Sequence, residues 1–302
     1  MANGVFIPES TKQQINDDIQ KRVTEHQSVV ARLRAARRQP QISNFAAKQN
    51  QQLLLLAHGD SWFDYPLNGN DLTIGTTDVI TQLKTMGSTP PVILNLSHHG
   101  DATTDELSLP KQERLIAELQ DSNNWLESGK PDAILFSGGG NDIAGEQFCI
   151  FLNYAATGAA GLNQTRVDKV LGMVEGSYLD LFAFRDRYAP GVPIIGHSYD
   201  FAIPNGAHPA CAGPWLLPSL QYCNWSVQQG TAIVRDALTQ FDVMLKTLAA
   251  DAQNKFVLAE TQGTLAAGDW ANELHPYPAG FKKIAGVFLA ALNRAFPSWA
   301  GV

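Results

Sequence analysis

Five short apolar runs, at 53–57, 92–96, 133–136, 192–196 and 256–260, recur along the chain with longer stretches of helical character between them. Runs this short, without polar alternation, read as strands buried on both faces. The intervening stretches 77–86, 106–121, 165–188 and 226–249 read as helices, and 278–296 as a last one. Pro110 suits a first helical turn, Ser226 an N-cap and Gly87 a C-cap. Alternation of strand and helix implies right-handed crossovers and a parallel sheet with helices on both faces, an α/β fold.

The chain has 302 residues, 44% of them hydrophobic and 17% charged, which suits one large α/β domain. A net charge of −7 gives no support to nucleic acid as a partner. No apolar run approaches the ~20 residues that cross a bilayer, so no transmembrane segment is expected. No basic segment followed by an apolar stretch opens the sequence, so no secretory signal is visible, although a mature secreted protein would look the same. Three cysteines cannot all pair within one chain and fit a reducing compartment, which makes cytoplasm the expected location.

Residues 1–50 differ from 51–302 in charge. Eight Lys and Arg against four Asp and Glu give the first fifty residues +4 and leave −11 for the rest. From Thr11 to about Arg38 no Gly or Pro intervenes, and Ile15, Ile19, Val23, Val29, Val30 and Leu33 mark a helix with a narrow apolar stripe. We read 1–50 as an N-terminal helical extension of a domain spanning 51–302. The helix either lies solvated on that domain or makes a homo-oligomer contact or anionic-surface patch, and His26 on it reads as a solvated side chain.

The strand ends carry the polar residues. The first run breaks into His58-Gly59-Asp60-Ser61-Trp62, placing a serine at a strand's C-terminal end, where a doubly wound sheet opens onto its ligand crevice. Gly-Asp-Ser is also a common turn composition, so the nucleophile depends on what else reaches that edge. The second run leads into Ser97-His98-His99-Gly100-Asp101 and the third into Ser137-Gly138-Gly139-Gly140-Asn141-Asp142. The N–H groups of Ser61 and Gly100 and the Asn141 amide could surround a developing oxyanion. The glycine run lacks the spacing of either nucleotide-binding loop. A serine needs a base, and His275, after the fifth strand and before the last helix, should reach the same edge. His58, His98 and His99 read as polar lining, and no histidine or cysteine spacing supports a metal.

Gly59-Asp60-Ser61, Gly100-Asp101, Gly140-Asn141-Asp142 and His275-Pro276, in that order, resemble the four blocks of the SGNH (GDSL-type) esterase/lipase family, over roughly residues 53–296. The resemblance implies a flavodoxin-like three-layer α/β/α fold on a five-stranded sheet. It also implies Ser61 as nucleophile, His275 as base, and Ser61, Gly100 and Asn141 as oxyanion hole. Hydrolysis of small carboxylic esters or thioesters without cofactor or metal is implied too. One departure stands out: the family has Asp three residues before the histidine, and this chain has Asn272. Asn272 is expected to orient His275 through its carbonyl oxygen in that place; Glu273 or Asp269 could supply a carboxylate instead, or a Ser–His dyad could suffice.

A second serine, Ser198 in Gly196-His197-Ser198-Tyr199-Asp200, is similar to the elbow of α/β-hydrolases but lacks the second glycine. A catalytically silent ligand-binding protein on the same sheet is the reading from another class. Specificity is expected from an apolar loop insertion near 201–225, rich in Pro and Trp, and from the stretch 141–164 with Phe148, Phe151 and Tyr154 as an opposite wall. Trp62 and Trp215 are the candidate substrate contacts. Cys211 and Cys223 frame the loop and could be bridged in an oxidising environment.

Overall fold

The computed structural model describes residues 9–38, 52–65, 77–207 and 213–299. The five expected strands are present as β1 Leu54–Gly59, β2 Val92–Asn95, β3 Ala133–Ser137, β4 Ile194–His197 and β5 Phe256–Ala259. Every strand residue is buried except Val92 and Val257, which are half-buried. That burial is why the runs are continuously apolar instead of alternating. All pairings are parallel, in the order β2-β1-β3-β4-β5. This is the flavodoxin-like order, whose switch point, and so whose crevice, lies between β1 and β3.

Nine α-helices are described: α1 Glu9–Arg38, α2 Val79–Leu83, α3 Thr103–Glu106, α4 Leu109–Gln120, α5 Gly140–Ile143, α6 Gln164–Tyr188, α7 Leu217–Tyr222, α8 Val227–Ala250 and α9 Pro278–Ala295. They cover both faces of the sheet, with α2 packed on α9 and with α4 and α8 packed on α6. No described helix is long and apolar enough to cross a membrane. Ser226 caps α8 by accepting from Gln229 N–H at 3.3 Å, and the Gln229 side chain reaches back to complete a capping box.

Three local expectations need correction. The single helix expected over 106–121 is two, α3 and α4, separated at Leu107 and Ser108. Pro110 explains the break, because a ring without an N–H can open a helix but cannot sit inside one. The helix expected over 77–86 is short: Asp78 caps it by accepting from Thr81 N–H at 2.7 Å, and it ends at Leu83, before Gly87. His26 is buried, not solvated, and its Nε2 lies 2.8 Å from the Asn124 carbonyl. The reason is that α1 docks on β2 and on the 3-10 turn Ser122–Asn124, burying Ile19, Val23, Val30 and Leu33 against the chain's own domain.

Of the expected loop near 201–225, the described part from 213 on carries α7, and Leu216, Leu220 and Cys223 are core residues. The expected Cys211–Cys223 bridge falls on Cys211, which lies outside the described residues.

Candidate active site

β1 can run into the crevice because it ends in glycine. A Cβ on Gly59 would stand 2.3 Å from the Ser137 carbonyl of β3, and its φ of +148° suits no L side chain. The chain then turns tightly, with Phe63 and Asp64 N–H donating to the Asp60 carbonyl at 3.0 and 3.1 Å. This turn presents Ser61 at the mouth and sends Asp60 inward. The Asp60 carboxylate is 1% exposed and accepts from Trp62 N–H at 3.0 Å, from Ser137 Oγ–H at 2.7 Å and from the Tyr199 hydroxyl. Burial pushes its pKa up to about 6. Behind it, His197 Nδ1 accepts from Tyr199 N–H at 3.2 Å, so its proton is on Nε2, which donates to Ser137 Oγ at 2.9 Å. Burial lowers His197 to about 3 and keeps it neutral. Asp60 therefore anchors the turn and takes no part in orienting His275.

Ser61 Oγ lies 2.7 Å from His275 Nε2. Burial depresses the histidine's pKa to about 3, so the ring is neutral and one of its two nitrogens is free to accept. On the other side of the ring, Nδ1 is 3.2 Å from Asn272 Oδ1. That oxygen also accepts the backbone N–H groups of Leu274 at 3.0 Å and His275 at 2.8 Å. Backbone donors cannot reverse, so the amide must face the ring with its oxygen and the histidine must protonate at Nδ1. The Asn272 amide nitrogen donates to the Tyr65 hydroxyl at 3.2 Å, and the Tyr65 ring lies 4.6 Å from the His275 ring.

The carboxylates beside Asn272 serve elsewhere. Glu273 accepts four backbone N–H groups, those of Gly206 and Leu217 at 3.0 Å, Trp215 at 2.6 Å and Leu216 at 2.8 Å. Asp269 pairs with Lys283 at 2.6 Å and accepts from Ala266 N–H. Neither bonds the imidazole, which leaves Asn272, and not the alternatives Glu273 or Asp269, at Nδ1.

Asn141 is the second residue of the short helix α5, and its Nδ2 donates to the Asp101 carbonyl at 2.7 Å, tying the loop after β2 to the loop after β3. Gly100 lies in an exposed part of that first loop with φ +85° and is not among the residues lining the cavity at Ser61. The cavity holds about 30 Å³ and is bounded by Ser61, His275, Asn141 and Trp62 together with Gly140, Ala144, Tyr199, Ala202, Leu238, Trp270 and Leu274. Trp62 is fixed by its indole N–H, which donates to the Leu274 carbonyl at 3.2 Å. Trp215 stands edge-on to His275, 5.7 Å between ring centroids, outside this lining.

No family model and no curated protein sequence matches the chain. Solved structures do. A lipase from a goat rumen metagenome is similar at a TM-score of 0.52 and 15% identity, over 80% of this chain and 97% of that one. An extracellular lipase from Streptomyces rimosus gives a TM-score of 0.48 at 17% identity, over 80% of this chain and 99% of that one. Phospholipase A1 from Streptomyces albidoflavus NA297 gives 0.48 at 14% identity, over 81% and 99%. The chain shares the α/β fold of the rumen lipase, a parallel five-stranded sheet with helices on both faces.

Within that fold, several residues stand apart from their expected places. Ser198 is fully buried and its hydroxyl has no hydrogen-bond partner, which removes it as a nucleophile. His58 is also buried, with Nε2 2.7 Å from the Glu106 carbonyl, and His98 and His99 stack on each other 4.3 Å apart beside Asp101 and Asp64. None of the three lines the cavity. In the stretch 141–164, Asn141 and Ala144 form wall, whereas Phe148 and Phe151 are core. Ala202, in the stretch 201–225 expected to line the site, does so, whereas Tyr65, Tyr199 and Leu238 reach it without any expectation from sequence, since their residue types are ordinary core types. Only the proximity of Tyr65 to Ser61 in the chain could have drawn attention to it.

Proposed function

We propose that the protein is a serine ester hydrolase working through an acyl-enzyme on Ser61. The observation that carries this reading is the buried hydrogen bond of 2.7 Å between Ser61 Oγ and a neutral His275 Nε2, at the switch point of the sheet. His275 takes the hydroxyl proton as Oγ attacks the carbonyl carbon of an ester or thioester. Asn272 holds the imidazole in the tautomer that makes this transfer work. The Ser61 and Gly100 N–H groups and the second N–H of the Asn141 amide receive the oxyanion. Nε2 then returns its proton to the leaving alcohol or thiol, and the acyl group stays on Ser61. Water, deprotonated by His275, attacks the acyl carbon and releases the acid. Trp62 and Trp215 are the substrate contacts, one in the cavity and one against the outer edge of His275. No step calls on a cofactor.

A fluorophosphonate probe followed by peptide mapping tests the assignment. Ser61 should be labelled and Ser198 left untouched, and Ser61→Ala should lose both labelling and esterase activity. Full activity in Ser61→Ala would sink the reading.

A further inference from the structure

We propose that the cavity beside Ser61 is an acyl pocket that closes after about two carbons, so that acetyl esters are the preferred substrates. The inference rests on the hydrolase reading above. The cavity holds about 30 Å³, where a single water needs ~10–15 Å³ on the same measure. A methyl group beside the reacting carbonyl fits that space, and a butyryl chain does not.

The deep wall is made by Ala144, Ala202 and Leu238, which are 6%, 5% and 2% exposed, while the partly exposed Gly140, Asn141, Trp270 and Leu274 form the mouth. Leu238 sits in the middle of α8, and its carbonyl accepts from Gln262 Nε2 at 2.7 Å. Trp62 is pinned by the Leu274 carbonyl. A wall built on a long helix and pinned rings does not yield to a longer chain without a cost in core packing.

The polar groups at the bottom of the cavity are engaged already. The Tyr199 hydroxyl donates to Asp60, and the Asp200 carboxylate accepts from Phe201, Gly263 and Leu265 N–H. The bound group is therefore apolar as well as short. It is the acyl side of the ester, because the alcohol must leave and water must enter while the acyl group stays on Ser61, so the deep end of a recess that opens only at its mouth suits the group that leaves last.

The test is kcat/KM for p-nitrophenyl acetate, butyrate and octanoate, each corrected by the Ser61→Ala protein. Acetate should exceed butyrate by about tenfold or more, the range in which a closed pocket discriminates between neighbouring chain lengths. Leu238→Ala should raise butyrate relative to acetate by about tenfold. Equal or better turnover of octanoate by the wild type would overturn the proposal. So would rates indifferent to acyl length that fall steeply as the alcohol of an acetate ester is enlarged. If Ser61 takes the fluorophosphonate but the chain-length profile is flat or rising, the pocket reading alone fails. If Ser61 is not labelled and no ester turns over, the hydrolase reading beneath it fails too. The wild-type series decides the matter even if Leu238→Ala does not fold.

Discussion

An amide oxygen at Nδ1 holds an imidazole in one tautomer as a carboxylate would, but it places no charge behind the imidazolium that forms during proton transfer. His275 therefore combines a fixed tautomer with a pKa lowered to about 3 by burial. The sign of the consequence is definite. A depressed pKa keeps the base neutral as pH falls, so the acid limb of kcat/KM should lie well below the ordinary histidine value of 6.5. Asn272→Asp should raise that pKa, move the limb to higher pH and raise kcat, because a carboxylate stabilises the charged ring. Asn272→Ala should cost less activity than His275→Ala. A pH–rate profile unmoved by Asn272→Asp would place the orienting group elsewhere. Tyr65→Phe removes the acceptor for the Asn272 amide nitrogen, about 1 kcal/mol, so kcat should fall about fivefold with KM little changed. Asn141→Ala tests the oxyanion role: kcat should drop by roughly 100- to 1000-fold with little change in KM, and an effect confined to KM would contradict it.

Between residues and fold, Glu273 does for a loop what secondary structure does for a strand. Its buried carboxylate gathers the N–H groups of Gly206, Trp215, Leu216 and Leu217, which fixes both ends of the segment that presents Trp215 to His275. Glu273→Ala leaves those donors without their shared partner and should lower stability by about 3 kcal/mol or more, read as a lower urea midpoint. A midpoint within error of the wild type would refute it. The same residue shows why the site was only partly legible. Ser61 and Asn141 follow glycines just past the ends of apolar runs, and His275 precedes Pro276 and the last helix, where turn chemistry marks them. Glu273 and Leu238 carry no such mark, and Tyr65, although beside Pro66, is tied to the site only through Asn272, far away in sequence. The strands were legible because burial on both faces leaves a continuous apolar run, whereas the break between α3 and α4 depends on which turn Pro110 occupies, and periodicity does not report that. His26 misled for a related reason: a polar side chain on an amphipathic helix looks solvated until the position of Asn124 is known.

For the whole molecule, α1 is part of the core and not an appendage of the α/β fold. Val30 is fully buried, and Ile19, Val23 and Leu33 extend the same stripe against the sheet edge at β2. A charge at Val30 has no partner there, so Val30→Asp should destabilise the entire protein by about 3 kcal/mol or more in one cooperative transition. Gln20→Asp, on the exposed side of the same helix, should stay within about 0.5 kcal/mol. The docking is also pH-dependent. Burial lowers His26 to about 4, so the folded state excludes a proton that the unfolded chain binds below its ordinary value of 6.5. Its contribution is complete above pH 6.5 and is lost as pH falls toward 4. Each pH unit in that window is worth at most about 1.4 kcal/mol for one such group. Replacing His26 by Gln removes the titration, so between pH 6.5 and 4.5 the wild type should lose roughly 2 kcal/mol more stability than His26→Gln does. Urea titrations of both proteins across that range measure the difference directly. Parallel stability curves would mean that His26 titrates alike in the folded and unfolded states, and that α1 does not hold it buried.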